Sequence, residues 1–151
     1  MKADETNAAQ LLAERCAEAM WNGDEASRKL GMKIISVGEG CSIVTMPVRK
    51  DMLNGHQTIH GGIIFTLADS AFAFACNSRN STSYAMSCGI DFIRPAFLGD
   101  MLTARAEEQS LTRSSGYYEV AVTNQDNKIV AHFHGRSHTR GEPLIEHQDQ
   151  K

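Results

Sequence analysis

The chemistry in this chain concentrates in one apolar run. The segment HGGIIFTLADSAFAFACN opens with His60, Gly61 and Gly62, and between Gly61 and Cys76 its only charged side chain is Asp69. At helical spacing the neighbours of Asp69 include Phe65, Leu67, Ala68, Phe72 and Ala73. An ionised carboxylate among such groups is costly unless something pairs with it. Two readings follow: a buried acid held by a structural partner, or a carboxylate tuned for catalysis by desolvation. The glycine pair has two readings as well. At a helix N-terminus, glycines let a ligand oxygen come close to unpaired amides that carry partial positive charge. They would equally let the helix pack tightly against its neighbours.

Other side chains invite chemistry less strongly. His132, His134, Arg136 and His138 alternate along one stretch and share one strand face. That face is open to three readings: a solvated surface, a phosphate-binding surface, or a zinc site. No acidic or cysteine ligand is evidently paired with the histidines, which weighs against zinc. Arg94 is a second candidate for a phosphate, or else a structural ion pair. Phe65, Phe72 and Phe74 read as core, and Phe72 is also the candidate wall of an apolar pocket. Cys16, Cys41, Cys76 and Cys88 are widely spaced, without a CxxC pair. They are expected to be small core residues, with no obvious base to activate a thiolate.

The elements that must position these groups can be read in outline. Thr6 to Asn22 has helical periodicity, and Asp24 can cap a short helix that Gly31 ends. Met32 to Val37 and Cys41 to Val48 read as strands around Gly38-Glu39-Gly40. Arg49 to His60, which contains Asn54-Gly55, reads as a long loop of the functional kind. Gly61 to Cys76 is rich in alanine and apolar on nearly every side, so it is expected to be a buried central helix ended by Asn77. Four strands follow: Ser83 to Pro95 with a possible bulge at Gly89, Asp100 to Thr112, Tyr117 to Asn124, and Lys128 to His138 after an Asp126-Asn127 turn. A doubly wound sheet would need strands and helices to alternate, and they do not. The order predicts an α+β fold, one curved antiparallel sheet wrapped around the buried helix.

Composition sets bounds on function. The chain has 151 residues, 42% hydrophobic and 22% charged, with a net charge of -3. This gives no general basic footprint for nucleic acid, and the first residues show no basic helix-turn-helix face. The N-terminus lacks the apolar core of a signal peptide, and no stretch reaches membrane-spanning length, so a cytoplasmic protein is expected. Geometry adds a partner. Gly61 and Asp69 are eight positions apart, so they lie about 12 Å apart along a helix, too far for one small reacting group to touch both. Two such helices side by side and antiparallel across a two-fold axis would bring each Gly61 to the other chain's Asp69.

The run LNGHQTIHGGIIFTLADSAFAFACNS, followed by IDFIRPAFLGD, closely resembles the bacterial phenylacetic acid degradation thioesterases. These are hotdog-fold enzymes that hydrolyse arylacetyl thioesters of coenzyme A. The resemblance extends from about Leu30 to His138. It implies that Asp69 is the catalytic carboxylate, as nucleophile or as general base for water. It implies that the Gly61 N–H polarises the thioester carbonyl, and that His60 and Asn54 help orient substrate, carboxylate or water. It also implies a dimer or tetramer with the site between protomers. Gly62, Phe72, Arg94 and Arg136 complete the expected substrate-binding set, and no cofactor or metal is expected. The expected organisation is a helical segment over 1–30, a hotdog domain over 31–140, and a polar tail over 141–151 that frays. Two alternatives stand beside hydrolysis. A hotdog hydratase or dehydratase would use a histidine and a carboxylate on enoyl or hydroxyacyl thioesters. A non-catalytic acyl-CoA-binding module would keep the pocket and have no need of Asp69.

Overall fold

The structure, a computed structural model, describes residues 2–146. Two helices come first, α1 (Lys2–Gly23) and α2 (Glu25–Lys29), then strands β1 (Lys33–Gly38) and β2 (Cys41–Pro47). A single 3-10 turn at Lys50–Met52 leads to the central helix α3 (Gly61–Cys76). The remaining strands are β3 (Ser83–Phe92), β4 (Met101–Leu111), β5 (Ser115–Thr123) and β6 (Ile129–Thr139). They form one sheet in the order β1-β2-β4-β5-β6-β3, with every neighbouring pair antiparallel. The antiparallel sheet against a central helix expected from the order of elements, and implied as a hotdog fold by the resemblance, is therefore present, and β1 and β3 are its two edges.

Alternation explains which face of the sheet meets α3. Val44 and Met46 of β2, Leu102, Ala104 and Ala106 of β4, Tyr118, Val120 and Val122 of β5, and Phe133 of β6 are all buried. Against them α3 places Ile64, Leu67, Ala68, Ala71, Phe72, Phe74 and Ala75. The alanines let the helix sit close, and Phe72 fills the gap above a strand glycine. A Cβ on Gly135 would lie 3.0 Å from the Phe72 ring. The helix end is fixed by Asn77, whose amide donates to Ala73 and Ser83 carbonyls and accepts from the Ser83 N–H. Below it, Arg79 makes a bidentate pair with Glu108, which also accepts from the Tyr118 hydroxyl at 2.7 Å.

Several details depart from expectation. α3 is not covered on every side within one chain: Gly62 is exposed, and Thr66, Asp69 and Ala73 are half-buried, forming one open stripe. The bulge in β3 falls between Ala85 and Ser87 and not at Gly89. Gly89 pairs regularly with His134, whose ring lies where a Cβ would be, at 2.5 Å. Cys16 and Cys76 are buried as expected, but Cys41 is exposed and Cys88 is only half-buried. The segment expected to fray is tied down as far as Ile145. Thr82 N–H donates to the Glu142 carbonyl, and the Asn80 side chain both donates to and accepts from the Ile145 backbone. The last five residues of the expected tail lie outside the described residues. At the other end α1 packs against the edge strand β1, where Gln10 donates to the Val37 carbonyl at 2.8 Å. No helix of the described residues is long and apolar enough to cross a membrane.

Candidate active site

The loop before α3 is held by its own polar groups, with the Asn54 side chain at their centre. Asn54 Oδ1 accepts from the amides of His56 and Thr58 and from the Thr58 hydroxyl, closing the turn in which Gln57 has φ of 60°. A bridge between Leu53 and Ile59 and the bond from His60 N–H to the Met52 carbonyl then bring the chain back to the helix start. Asn54 therefore spends its oxygen on the loop, and its side-chain NH2 remains the group available to a ligand.

His60 is the N-cap of α3. Its backbone is extended (φ -63°, ψ 132°) and its Nδ1 accepts the Gly62 N–H at 3.0 Å. Accepting at Nδ1 assigns the proton of the neutral ring to Nε2. The His60 carbonyl takes the amides of Ile63 and Ile64. Of the first four helix amides, only that of Gly61 finds no acceptor among the described residues. The helix terminus thus offers one open donor, backed by the helix dipole. The Phe92 ring covers this position so closely that a Cβ on Gly61 would stand 2.9 Å from Phe92 Cζ. Any side chain here must push that exposed ring aside.

Two turns further on, Asp69 lies half-buried on the open stripe and makes no hydrogen bond or ion pair with any described residue. Burial alone pushes its carboxyl above the ordinary carboxylate range. Beside it is a cavity of about 290 Å³ lined by α3 (Phe72, Ala73, Cys76), by Ser83, Tyr84 and Ala85 of β3, and by Met20 and Leu144. Burial pushes the Cys76 thiol up to about 12, and burial together with the Asp69 charge pushes Cys88 up. Both thiols stay protonated at neutral pH, so neither is poised as a nucleophile. An unpaired, desolvated carboxylate next to an apolar cavity suits activated attack on a carbonyl, and the free helix amide, about 12 Å away along the same helix, suits polarisation of one.

Residues 56–131 match the model of the thioesterase superfamily. The chain belongs to the thioesterase superfamily. It is 49% identical to the acyl-coenzyme A thioesterase PaaI of Escherichia coli over 125 residues, covering 83% of this chain and 89% of that one. The solved structure of that PaaI protein, from a phenylacetic acid degradation operon, superposes with a TM-score of 0.87 and covers 89% of this chain and 97% of the other, at 46% identity. A Streptococcus mutans protein solved with acetyl-CoA bound superposes with a TM-score of 0.72 at 28% identity, over 74% of this chain and 90% of that one.

In this thioesterase the expected site residues fall into two groups. Asp69, Gly61, His60 and Asn54 all belong to α3 or the loop that delivers it. The substrate-binding set is scattered. The Gly62 amide is consumed by His60. Phe72 is 1% exposed and packs edge-on to Tyr118 at 5.3 Å, so it is core that also forms a cavity wall. Arg94 makes no ion pair with a described residue, and one of its nitrogens is bound to the Ile129 carbonyl. Arg136 stands on the exposed face of β6 with His132, His134 and His138, across the sheet from α3. Asp91 lies opposite His132 and Glu119 opposite His134, but among the described residues no group of three or more such side chains is placed to hold a metal ion. Sequence reasoning missed Phe92, although it stands inside the quoted IDFIRPAFLGD run. It also missed Met20 and Leu144, which no motif marks.

Proposed function

We propose that this thioesterase hydrolyses an arylacetyl-CoA, of the phenylacetyl or hydroxyphenylacetyl type, to the free acid and coenzyme A. The observation that carries the proposal is the unpartnered, desolvated Asp69 carboxylate beside an apolar cavity. A purely structural acid would have a hydrogen-bonding partner, and Asp69 has none among the described residues. The catalysed step is carbonyl substitution. The Gly61 N–H donates to the thioester oxygen and stabilises the negative charge that grows on it. Asp69 either attacks the carbonyl carbon itself or takes a proton from a water whose oxygen attacks. Collapse of the tetrahedral intermediate breaks the C–S bond, and the departing thiolate takes up a proton; where Asp69 itself attacked, water then cleaves the mixed anhydride, which releases the acid and restores the carboxylate. His60 holds the helix terminus, and the Asn54 NH2 remains available to orient substrate or water.

The working unit of the proposal is a dimer, alone or paired into a tetramer, with cytosolic acyl-CoA as substrate. Gly61 and Asp69 lie about 12 Å apart along one helix. The open stripe of Gly62, Thr66, Asp69 and Ala73 carries short side chains, which suit the approach of a second α3. The edge strand β3 exposes Tyr84, Met86 and Phe92, an apolar edge suited to pairing with its own copy. Likeness to PaaI at 49% identity supports the arylacetyl preference. The test is thiol release from phenylacetyl-CoA measured beside loss of enoyl absorbance from an enoyl-CoA. Release of thiol without loss of enoyl absorbance is the expected result. The reverse would identify a hydratase.

A further inference from the structure

We propose that Leu144 and Met20 close the far end of the acyl pocket and set the length of acyl group the enzyme accepts. The proposal rests on the function just described, with Asp69 at the reacting end. From Asp69 the cavity follows one face of α3 through Phe72, Ala73, Cys76 and Asn77, two turns or about 12 Å of helix. Its side is β3. Its remaining walls come from outside the helix and sheet: Met20 from α1 and Leu144 from the C-terminal segment.

The segment that carries Leu144 is placed with care. Gly141 has φ of 81° and turns the chain back after β6. Arg140 N–H donates to the Thr82 carbonyl and Thr82 N–H to the Glu142 carbonyl, at 2.9 and 2.8 Å. The side chain of Asn80, itself in the left-handed region at φ 57°, then reads the Ile145 backbone as a strand partner would. Its Oδ1 accepts the Ile145 N–H at 2.8 Å and its Nδ2 donates to the Ile145 carbonyl at 3.0 Å. Asn80 lies just past the end of α3, so Leu144 enters from the C-terminal end of the helix, away from the reacting end at Asp69. Four hydrogen bonds thus hold a leucine against a cavity that the sheet and α3 leave open there. An acyl chain whose carbonyl sits at Asp69 runs toward this plug. Its permitted length is set by two side chains that take no part in the chemistry.

The test compares kcat/KM for phenylbutyryl-CoA and phenylacetyl-CoA in wild type, Leu144→Ala, Leu144→Trp and Asn80→Gly. Glycine at 80 keeps the left-handed backbone and removes only the clamp. A pocket discriminates a methylene by about 10- to 200-fold. Leu144→Ala and Asn80→Gly should therefore raise the longer-to-shorter ratio about tenfold or more, and Leu144→Trp should lower it. A general folding defect lowers both substrates together and leaves the ratio in place. Wild-type protein that releases thiol while all three variants keep the wild-type ratio overturns the length-setting role alone. Wild-type protein inactive on every thioester overturns the function and this proposal with it.

Discussion

His60 Nδ1 accepts the Gly62 N–H at 3.0 Å and thereby leaves the neighbouring Gly61 N–H as the open donor of α3. One ring nitrogen both caps the helix and fixes which amide is free. His60→Ala should lose about 1 kcal/mol of stability, the ordinary worth of an N-cap. His60→Asn should recover most of it, because asparagine is a good cap. Urea unfolding of the two variants measures this. An alanine variant as stable as wild type would show that the contact contributes nothing.

The Asp69 carboxyl is pushed above its ordinary value by burial. In the pH window between the ordinary carboxylate value and the raised one, the folded protein holds a proton that the unfolded chain has lost. Stability therefore falls as pH rises through that window, and the ionised acid is a burden at neutral pH. Asp69→Asn should be more stable than wild type at neutral pH, with the difference shrinking as pH falls below the ordinary carboxylate range. The proposed attack needs the ionised form, so the acid limb of wild-type kcat/KM should have its midpoint above the value of an ordinary aspartate. Thermal unfolding across pH and a pH–rate profile check the two statements. An Asp69→Asn protein less stable than wild type at neutral pH would mean that the carboxylate has a partner.

Gly135 lies under Phe72, with the Cβ position 3.0 Å from a ring that is 1% exposed. Phe72 in turn packs on Tyr118 and Phe133, so it has nowhere to go. Gly135→Ala should cost about 1–3 kcal/mol by overpacking. Combining it with Phe72→Leu should cost less than the sum of the two single changes. Denaturant titration of the four proteins provides the cycle, and simple additivity would contradict the contact.

Much of this was legible in the sequence, for reasons that differ by residue. α3 runs from Gly61 to Cys76 as read, because alanines, leucine and uniform apolarity favour one state at every position. Asp69 stood out as the lone charge in that run. What sequence could not convey is contact at a distance. Whether Gly89 marks a bulge or makes room for a ring depends on His134, a strand away. Arg136 carries the right charge for a phosphate, but only the sheet shows that it faces away from α3. Leu144 sits in a polar tail where two apolar residues make no period, and its order comes from Asn80, more than sixty positions earlier. Phe92 reads as an ordinary strand aromatic until the chain folds it over Gly61.

The claim that most needs testing is that Gly61 of one protomer and Asp69 of its partner serve one thioester. Asp69→Asn removes the carboxylate, and Gly61→Pro removes the amide donor. Proline suits this position, since it is the first residue of the helix and His60 before it is already extended. The Phe92 ring, 54% exposed, must move aside, so each parent must first be shown to fold and dimerise. The decisive measurement is thiol release from phenylacetyl-CoA after the two inactive variants are mixed in equal amounts and allowed to exchange subunits. Half of the dimers are then mixed, and one of the two sites in each mixed dimer is intact. The account predicts that activity returns, to a ceiling of roughly a quarter of wild type for independent sites. Proven subunit exchange with no activity above that of the parents would contradict it.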